Sequence, residues 1–187
     1  MSALPFLFIR VIWSAHTIQV PFRLWGANVK ELHLGLDPNH PFGRKGLALE
    51  QAWQQLAPPD CRGMLILDGD TLIDPQDYAL MCEAIESDPG AVHVAPARIW
   101  PSSKPELRGW SWAHWSKHPT QELETEGIEF FTFNFTYLPA QLLQAAIKGG
   151  LKGWQFPLVD SRVARTARLN RIPVHVVTGA TPKHLNY

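Results

Sequence analysis

Two carboxylates separated by a single glycine are the side chains of this sequence best suited to chemistry. Asp68, Gly69 and Asp70 follow the continuous apolar run at 63–67, and Asp37 follows an earlier apolar run. Close carboxylates repel each other, and a divalent cation is the simplest way to keep both ionised. The glycine also leaves room for a ligand to approach the backbone. The pattern predicts a site for a cation and an anionic ligand. The alternative is a turn that only caps the next helix.

The order of the surrounding elements indicates where these carboxylates lie. In the first half of the chain, apolar runs typical of strands alternate with helical periodicity. The runs lie at 6–13, 31–36, 63–67 and 91–95. This alternation predicts right-handed crossovers and a mostly parallel sheet flanked by helices. Ligands bind beyond the carboxyl ends of the strands in such sheets. We therefore expect Asp37, Asp68 and Asp70 to share one edge.

A tryptophan-rich insertion at 100–128 separates this half from a second α/β half. The second half is predicted to contain a strand at 129–138, a helix that begins at Pro139, a helix that begins at Asp160, a strand at 172–177 and a polar tail at 178–187. The sequence has no internal repeats and no sign of a second domain, so we expect one α/β domain over 1–187.

Composition narrows the class of protein further. Seventeen Lys and Arg balance seventeen Asp and Glu among 187 residues, which argues against nucleic-acid binding by bulk electrostatics. The arginines at 162, 165, 168 and 171 could still form a local basic patch or a solvated helix face. Two cysteines make no disulfide framework and suggest reduced thiols. No run approaches the ~20 apolar residues of a membrane span, so we expect a cytoplasmic protein.

The segment 65–70, followed by Asp74-Pro75, resembles the Asp-x-Asp segment of glycosyltransferases with the GT-A fold, especially family 2. The segment 154–160, then Arg165 and 171–174, is similar to the late acidic motif, helix and strand of that family. The resemblance extends loosely over nearly the whole chain. It implies a minimal GT-A-like, Rossmann-like domain. Its nucleotide-sugar-binding half would be 1–99, and its acceptor and catalytic half would be 129–187.

The resemblance also assigns roles to particular residues. Donor binding falls to Asp37, Arg44, Lys45, Asp68 and Gly69. Asp70 and His184 would hold Mn²⁺ or Mg²⁺, and Asp160 would deprotonate the acceptor hydroxyl. The implied activity is metal-dependent transfer from a nucleotide sugar, with inversion at the anomeric carbon and a UDP-sugar as the expected donor. The acceptor stays open between a glycan, a protein, a small molecule and a modified nucleic acid. Such a reaction needs charge neutralisation at the leaving diphosphate and a base opposite it.

Tryptophans are the candidates for acceptor binding, because indole faces stack on the C–H faces of sugar rings. The candidates are Trp110, Trp112, Trp115 and Trp154. Core packing is the alternative for each of them, as helical spacing predicts for Trp53.

Two other functions compete with glycosyl transfer. Phosphatases of the haloacid dehalogenase class also place Asp-x-Asp after a buried strand, but their threonine stands two residues past the second aspartate. Here Thr71 follows Asp70 directly. The other competitor is a non-catalytic module that binds a nucleotide sugar or a carbohydrate.

Overall fold

The computed structural model describes residues 6–13, 29–34, 44–95, 98–100, 131–154 and 158–185. Several predicted features fall outside these residues. They are Asp37, Trp110, Trp112, Trp115 and the insertion at 100–128 apart from its first residue. Their predicted roles therefore stay predictions.

A six-stranded mixed sheet forms the centre of the molecule. Its strands are β1 (Leu7–Trp13), β2 (Val29–Leu34), β3 (Gly63–Asp68), β5 (Val92–Val94), β7 (Phe135–Pro139) and β8 (Val174–Val176). They are arranged in the order β2-β1-β3-β7-β5-β8. Only β7 runs against its neighbours in this sheet, pairing antiparallel with both β3 and β5. The predicted α/β class with a mostly parallel sheet is confirmed.

In the part of the chain that the structure describes, four helices cover the two faces of this sheet. They are α1 (Lys45–Leu56), α2 (Pro75–Ser87), α3 (Ala140–Lys148) and α4 (Leu158–Leu169). Buried residues of α1, α3 and α4 form one core cluster with Met64 and Ile66 of β3. Buried residues of α2 form another with Leu65 and Leu67. Strand β3 is therefore covered on both faces, which explains its uninterrupted apolar sequence.

Asp74 before Pro75 is a sequence pattern that predicts a helix N-cap followed by a proline at the first helical position, and α2 begins there. Asp74 caps the helix by accepting a hydrogen bond from the backbone N–H of Asp77, and the Asp77 carboxylate accepts one from Asp74. Pro75 occupies the first helical position, where its missing N–H costs nothing. The other oxygen of Asp77 accepts a hydrogen bond of 2.7 Å from the N–H of Thr181. The N-terminus of α2 therefore also anchors the C-terminal segment.

That C-terminal segment departs from the prediction of a polar tail at 178–187. Within it, Lys183–Leu185 forms strand β9, which pairs antiparallel with β4 (Thr71–Leu72) and parallel with β6 (Arg98–Trp100). A three-residue strand has too little periodicity to be recognised, and its pairing depends on partners about a hundred residues away. The register sets His184 opposite Thr71.

Two predicted boundaries in the second half also shift. The strand expected at 129–138 begins at Phe135 in the structure, and irregular backbone precedes it from residue 131. Helix α4 begins at Leu158, so Asp160 lies in its first turn and does not start it. Both cysteines are free thiols. Among the described residues, no helix is long and apolar enough to cross a membrane.

The start of α1 is fixed by a close backbone contact at Gly46. Its N–H donates to the carbonyl oxygen of Trp154 at 3.2 Å. A Cβ added at Gly46 would overlap the carbonyl oxygens of Leu151 and Trp154. The short 3₁₀ helix at Leu151–Gly153 therefore packs directly on the first turn of α1.

We expect Gly46→Ala to destabilise the protein by about 1–3 kcal/mol, because overpacking against backbone cannot be relieved by side-chain rotation. Intrinsic helix propensity alone would make Gly46→Ala more stable, by about 1 kcal/mol. The sign of the change in stability therefore distinguishes the two effects. Urea unfolding measures the difference. The matched control is Gly153→Ala, where an added Cβ meets nothing within 4 Å. A Gly46→Ala protein as stable as the wild type would contradict the close contact.

Candidate functional site

Five ionisable side chains from separate parts of the chain converge at the carboxyl end of β3. They are Lys45, Asp68, Asp70, Asp160 and His184. Asp68 is the last residue of β3, and Asp70 lies in the turn that follows it. The other three come from the first residue of α1, the first turn of α4 and strand β9. All five are predicted site residues, and the structure brings them together.

A buried lysine lies at the centre of the cluster. The side chain of Lys45 is only 2% exposed, and its Nζ lies 3.0 Å from Oδ1 of Asp68. The same Nζ lies 3.7 Å from Oδ1 of Asp160. It also lies 5.0 Å from the centroid of the Phe133 ring, within the range of a cation–π contact. The lysine was predicted to bind the donor, and the structure sets it against two carboxylates.

Asp160 is held by contacts at both of its carboxyl oxygens. Oδ2 accepts a hydrogen bond of 3.1 Å from the backbone N–H of Phe133, and Oδ1 faces Lys45. Phe133 belongs to the irregular segment just before β7. The orientation of the Asp160 carboxylate is therefore set by backbone as well as by charge.

Asp70 and His184 form a second, adjacent pair. Nε2 of His184 lies 3.1 Å from Oδ2 of Asp70. The pairing of β4 with β9 brings the histidine here, and the Asp77–Thr181 hydrogen bond holds the segment that leads into β9. The Nδ1 atom of His184 is buried and has no hydrogen-bond partner in the described part of the chain.

Burial and mutual charge shift the pKa values of this cluster. Burial alone would lower the pKa of Lys45, but the carboxylates of Asp160, Asp68 and Asp70 outweigh it and raise that pKa. Burial raises the pKa of Asp68 to about 6, against the opposing effect of Lys45.

The pKa values of Asp160 and His184 are both raised. The pKa of Asp160 is raised by burial, although Lys45 and the Phe133 N–H both favour its ionised form. Burial would lower the pKa of His184, but its hydrogen bond with Asp70 and the nearby negative charge raise it. Shifted carboxyl and imidazole groups gathered at one sheet edge are typical of functional sites.

The turn that carries Gly69 is fixed by a residue that the sequence did not single out. The guanidinium of Arg10, on β1, donates to the carbonyl oxygen of Gly69 at 3.1 Å and to the Glu31 carboxylate at 3.1 Å. The N–H of Gly69 donates to the carbonyl oxygen of Val11 at 2.7 Å. A Cβ on Gly69 would lie 2.9 Å from that oxygen. The one available signal was an arginine inside an apolar strand run, which here is only 6% exposed.

Two further predicted site residues in the described part of the chain are Arg44 and Trp154. Arg44 is exposed and immediately precedes α1, where its carbonyl oxygen accepts a hydrogen bond from Ala48. Trp154 is 9% exposed and belongs to the core, which favours a packing role over acceptor binding. Trp53 packs partly buried against the same core, as its helical spacing predicts.

Asp70 and His184 fit a cation only if a ligand completes the coordination. In the ranges that the structure describes, no group of three or more His, Cys, Asp or Glu side chains is arranged to hold a metal ion. Mg²⁺ is commonly bound in proteins through one or two carboxylates together with substrate phosphates and waters. A carboxylate beside an imidazole is compatible with such a shared site and does not form a closed protein cage.

No protein-family model matches the sequence, and no curated protein matches it significantly. Solved structures do resemble the fold. The crystal structure of A197 from STIV has a TM-score of 0.56 and 15% sequence identity, over 97% of this chain and 87% of that one. A glycosyltransferase involved in the glycosylation of the major capsid of PBCV-1 has a TM-score of 0.50 and 14% identity, over 95% of this chain and 92% of that one. The α/β fold of this chain is thus similar to that of a glycosyltransferase.

Proposed function

We propose that the protein is a glycosyltransferase that moves a sugar from a nucleotide-sugar donor to an acceptor hydroxyl. The observation that carries the proposal is the convergence of Lys45, Asp68, Asp70, Asp160 and His184 at the carboxyl end of β3. The similarity of the fold to a glycosyltransferase supports the same reading.

The donor side of the proposed site is the Asp68–Asp70 turn. It lies beside the carboxyl end of β1, and Arg10 and Val11 hold the backbone of Gly69 in place. A nucleoside diphosphate bound beyond this edge would contact Asp68 and Gly69, with Asp37 and Arg44 as further donor-binding residues. Uridine is the nucleoside that we expect. Asp70 and His184 would hold a Mn²⁺ or Mg²⁺ ion, which would neutralise charge on the leaving diphosphate.

The acceptor side is Asp160, which we assign as the general base. In the proposed reaction, the acceptor oxygen bonds to the anomeric carbon as the bond from that carbon to the diphosphate breaks. The hydroxyl proton passes to the Asp160 carboxylate, and the bonding electron pair leaves with the diphosphate. A single displacement of this kind inverts the anomeric centre. A raised pKa brings a carboxylate closer to the operating pH and makes it a better base.

The tryptophans at 110, 112 and 115 remain the proposed acceptor platform. The insertion at 100–128 carries three of the four tryptophans that are candidates for acceptor binding, and it is the part of the sequence that we expect to recognise the acceptor. A glycan, a protein, a small molecule and a modified nucleic acid all stay open as acceptors.

We expect Asp70→Asn to weaken Mn²⁺-dependent binding of UDP-sugars by about tenfold or more, because the substitution removes one carboxylate from the proposed cation site. Calorimetry with a panel of nucleotide sugars, with and without Mn²⁺, measures the affinity. Asp60→Asn, at an exposed position, is the matched control and should bind as the wild type does.

Other outcomes of this screen would replace the proposal. If the protein binds no nucleoside diphosphate with Mn²⁺ but cleaves p-nitrophenyl phosphate, it is a phosphatase of the haloacid dehalogenase class. If it binds a nucleotide sugar without any transfer or hydrolysis, it is a non-catalytic binding module.

We expect Asp160→Asn to retain donor affinity and to lower transfer, or slow donor hydrolysis, by about 10²–10⁴-fold, the usual contribution of a general base. In the wild type, the rate should fall as the pH is lowered through the raised pKa of Asp160, because the protonated carboxyl cannot accept a proton. Initial rates of UDP-sugar hydrolysis across pH measure both effects. A loss of donor affinity in Asp160→Asn would remove this residue from the role of base.

A further inference from the structure

Lys45 contacts a carboxylate on each side of the proposed site. Its Nζ lies 3.0 Å from Asp68, on the donor side, and 3.7 Å from Asp160, on the acceptor side. Asp68 ends a strand at the centre of the sheet, and Asp160 belongs to a helix about ninety residues further along the chain. The lysine comes from a third element, α1.

Without a cation between them, these two carboxylates would face each other in a buried setting. Desolvation and like-charge repulsion both favour protonation of one of them. Lysine is almost never fully buried unless it is paired. Lys45 is 1% exposed as a whole residue and supplies the compensating charge.

We propose that Lys45 is a positioning residue that joins the donor and acceptor sides of the site by holding Asp68 and Asp160 at a fixed separation and orientation. This inference rests on the proposed function. It differs from the role that sequence resemblance assigned to the lysine, which was direct contact with the donor.

The surroundings of the ammonium favour positioning over phosphate binding. An ammonium group has three donors. Nζ of Lys45 contacts three groups: Asp68, Asp160 and the Phe133 ring. The Lys45 side chain is nearly inaccessible to solvent. Two carboxylates already balance its charge. An incoming diphosphate would have to displace at least one of them.

The backbone of Lys45 is as firmly placed as its side chain. The next residue, Gly46, packs against the carbonyl oxygens of Leu151 and Trp154 and donates its N–H to Trp154. The first turn of α1 therefore has a defined position relative to the segment that leads into α4. The backbone position of Lys45 is therefore fixed independently of Asp68 and Asp160, so the ammonium group can orient the two carboxylates.

Removal of the ammonium should change the ionisation of Asp160. Among the described residues, the groups that act on this carboxyl are the Lys45 ammonium from α1, the Asp68 carboxylate at the end of β3, and the backbone N–H groups of Phe133 and of Asp160 itself. Lys45→Met removes the positive group of this set. The remaining charge of Asp68 then favours the protonated form of Asp160.

The test measures the titration of the aspartate carboxyls by NMR in the wild type, in Lys45→Met and in the exposed-site control Lys148→Met. In Lys45→Met we expect the pKa of Asp160 to rise by about one unit or more, a tenfold weaker acid. The control should leave it unchanged. An unchanged pKa of Asp160 in Lys45→Met would overturn the proposal. This measurement needs no substrate, so its outcome is independent of whether the protein transfers a sugar.

Kinetics separate positioning from donor contact. In Lys45→Met, the acid limb of the rate profile should move to higher pH, whether or not the affinity for UDP with Mn²⁺ also falls, since Lys45 holds the donor-side Asp68 as well. Lost affinity for UDP with an unmoved acid limb would overturn the proposal in favour of donor contact. A wild type that transfers and hydrolyses no nucleotide sugar would overturn the proposed function.

Lys45→Met could also fail to fold because it leaves buried carboxylates unpaired. In that case Lys45→Met combined with Asp160→Asn should restore folding, since the substitution of the second residue removes one of the repelling charges. Thermal unfolding of the single and double variants measures the rescue. A double variant as unstable as Lys45→Met would show that the lysine is needed only for packing and would overturn the proposal.

Discussion

A single buried ammonium group holds together the parts of this molecule that could perform chemistry. Asp68 and Asp160 come from different layers of the fold, and both are largely removed from water. Buried carboxylates persist in the ionised state only when a positive charge or a set of hydrogen bonds compensates them. Lys45 supplies that charge, and the N–H of Phe133 supplies one of the hydrogen bonds. The shape of the site depends on this compensation.

The fold places the rest of the site around this ion pair. Strand β3 is covered on both faces, so its end is a rigid point from which the Asp68–Asp70 turn projects. Arg10 fixes the turn from β1, and β9 brings His184 to it from the far end of the chain. The carboxylates of the site therefore come from two separate parts of the fold, the turn after β3 and the first turn of α4. In the proposed reaction, this separation would allow one aspartate to serve the donor and another to serve the acceptor.

The sequence predicted the parts of the site that depend on local patterns. The apolar run before Asp68 and the Asp74-Pro75 helix start are short-range signals, and both features lie in the structure as predicted. The resemblance to a family, and no local pattern, was the basis for proposing Asp160 and His184 as site residues. The strand that carries His184 was missed, because three residues in a polar segment show no periodicity of their own. The placement of Asp37 and of the tryptophan-rich insertion stays a prediction.

Side-chain pairing across the fold was beyond the reach of sequence patterns. Nothing in the stretch around Lys45 distinguishes a buried lysine from an exposed loop residue, because its partners lie 23 and 115 positions further along the chain. Arg10 looked like an interruption of an apolar run and is instead a support for Gly69. Trp154, a candidate for acceptor binding with core packing as the alternative, lies in the core. Burial of a charge is a tertiary property, and only the assembled sheet edge reveals it.

The proposed function requires that a nucleotide sugar binds at the edge where the Asp68–Asp70 turn, Asp160 and His184 converge. A crystal structure of the protein with UDP and Mn²⁺ would show directly whether it does. We expect the uracil and ribose beside Asp68 and Gly69, and the diphosphate and the ion at Asp70 and His184. We also expect an open space between the diphosphate and Asp160 that is large enough for a sugar. A nucleotide bound elsewhere on the molecule, or an empty sheet edge at saturating UDP and Mn²⁺, would contradict the proposed function.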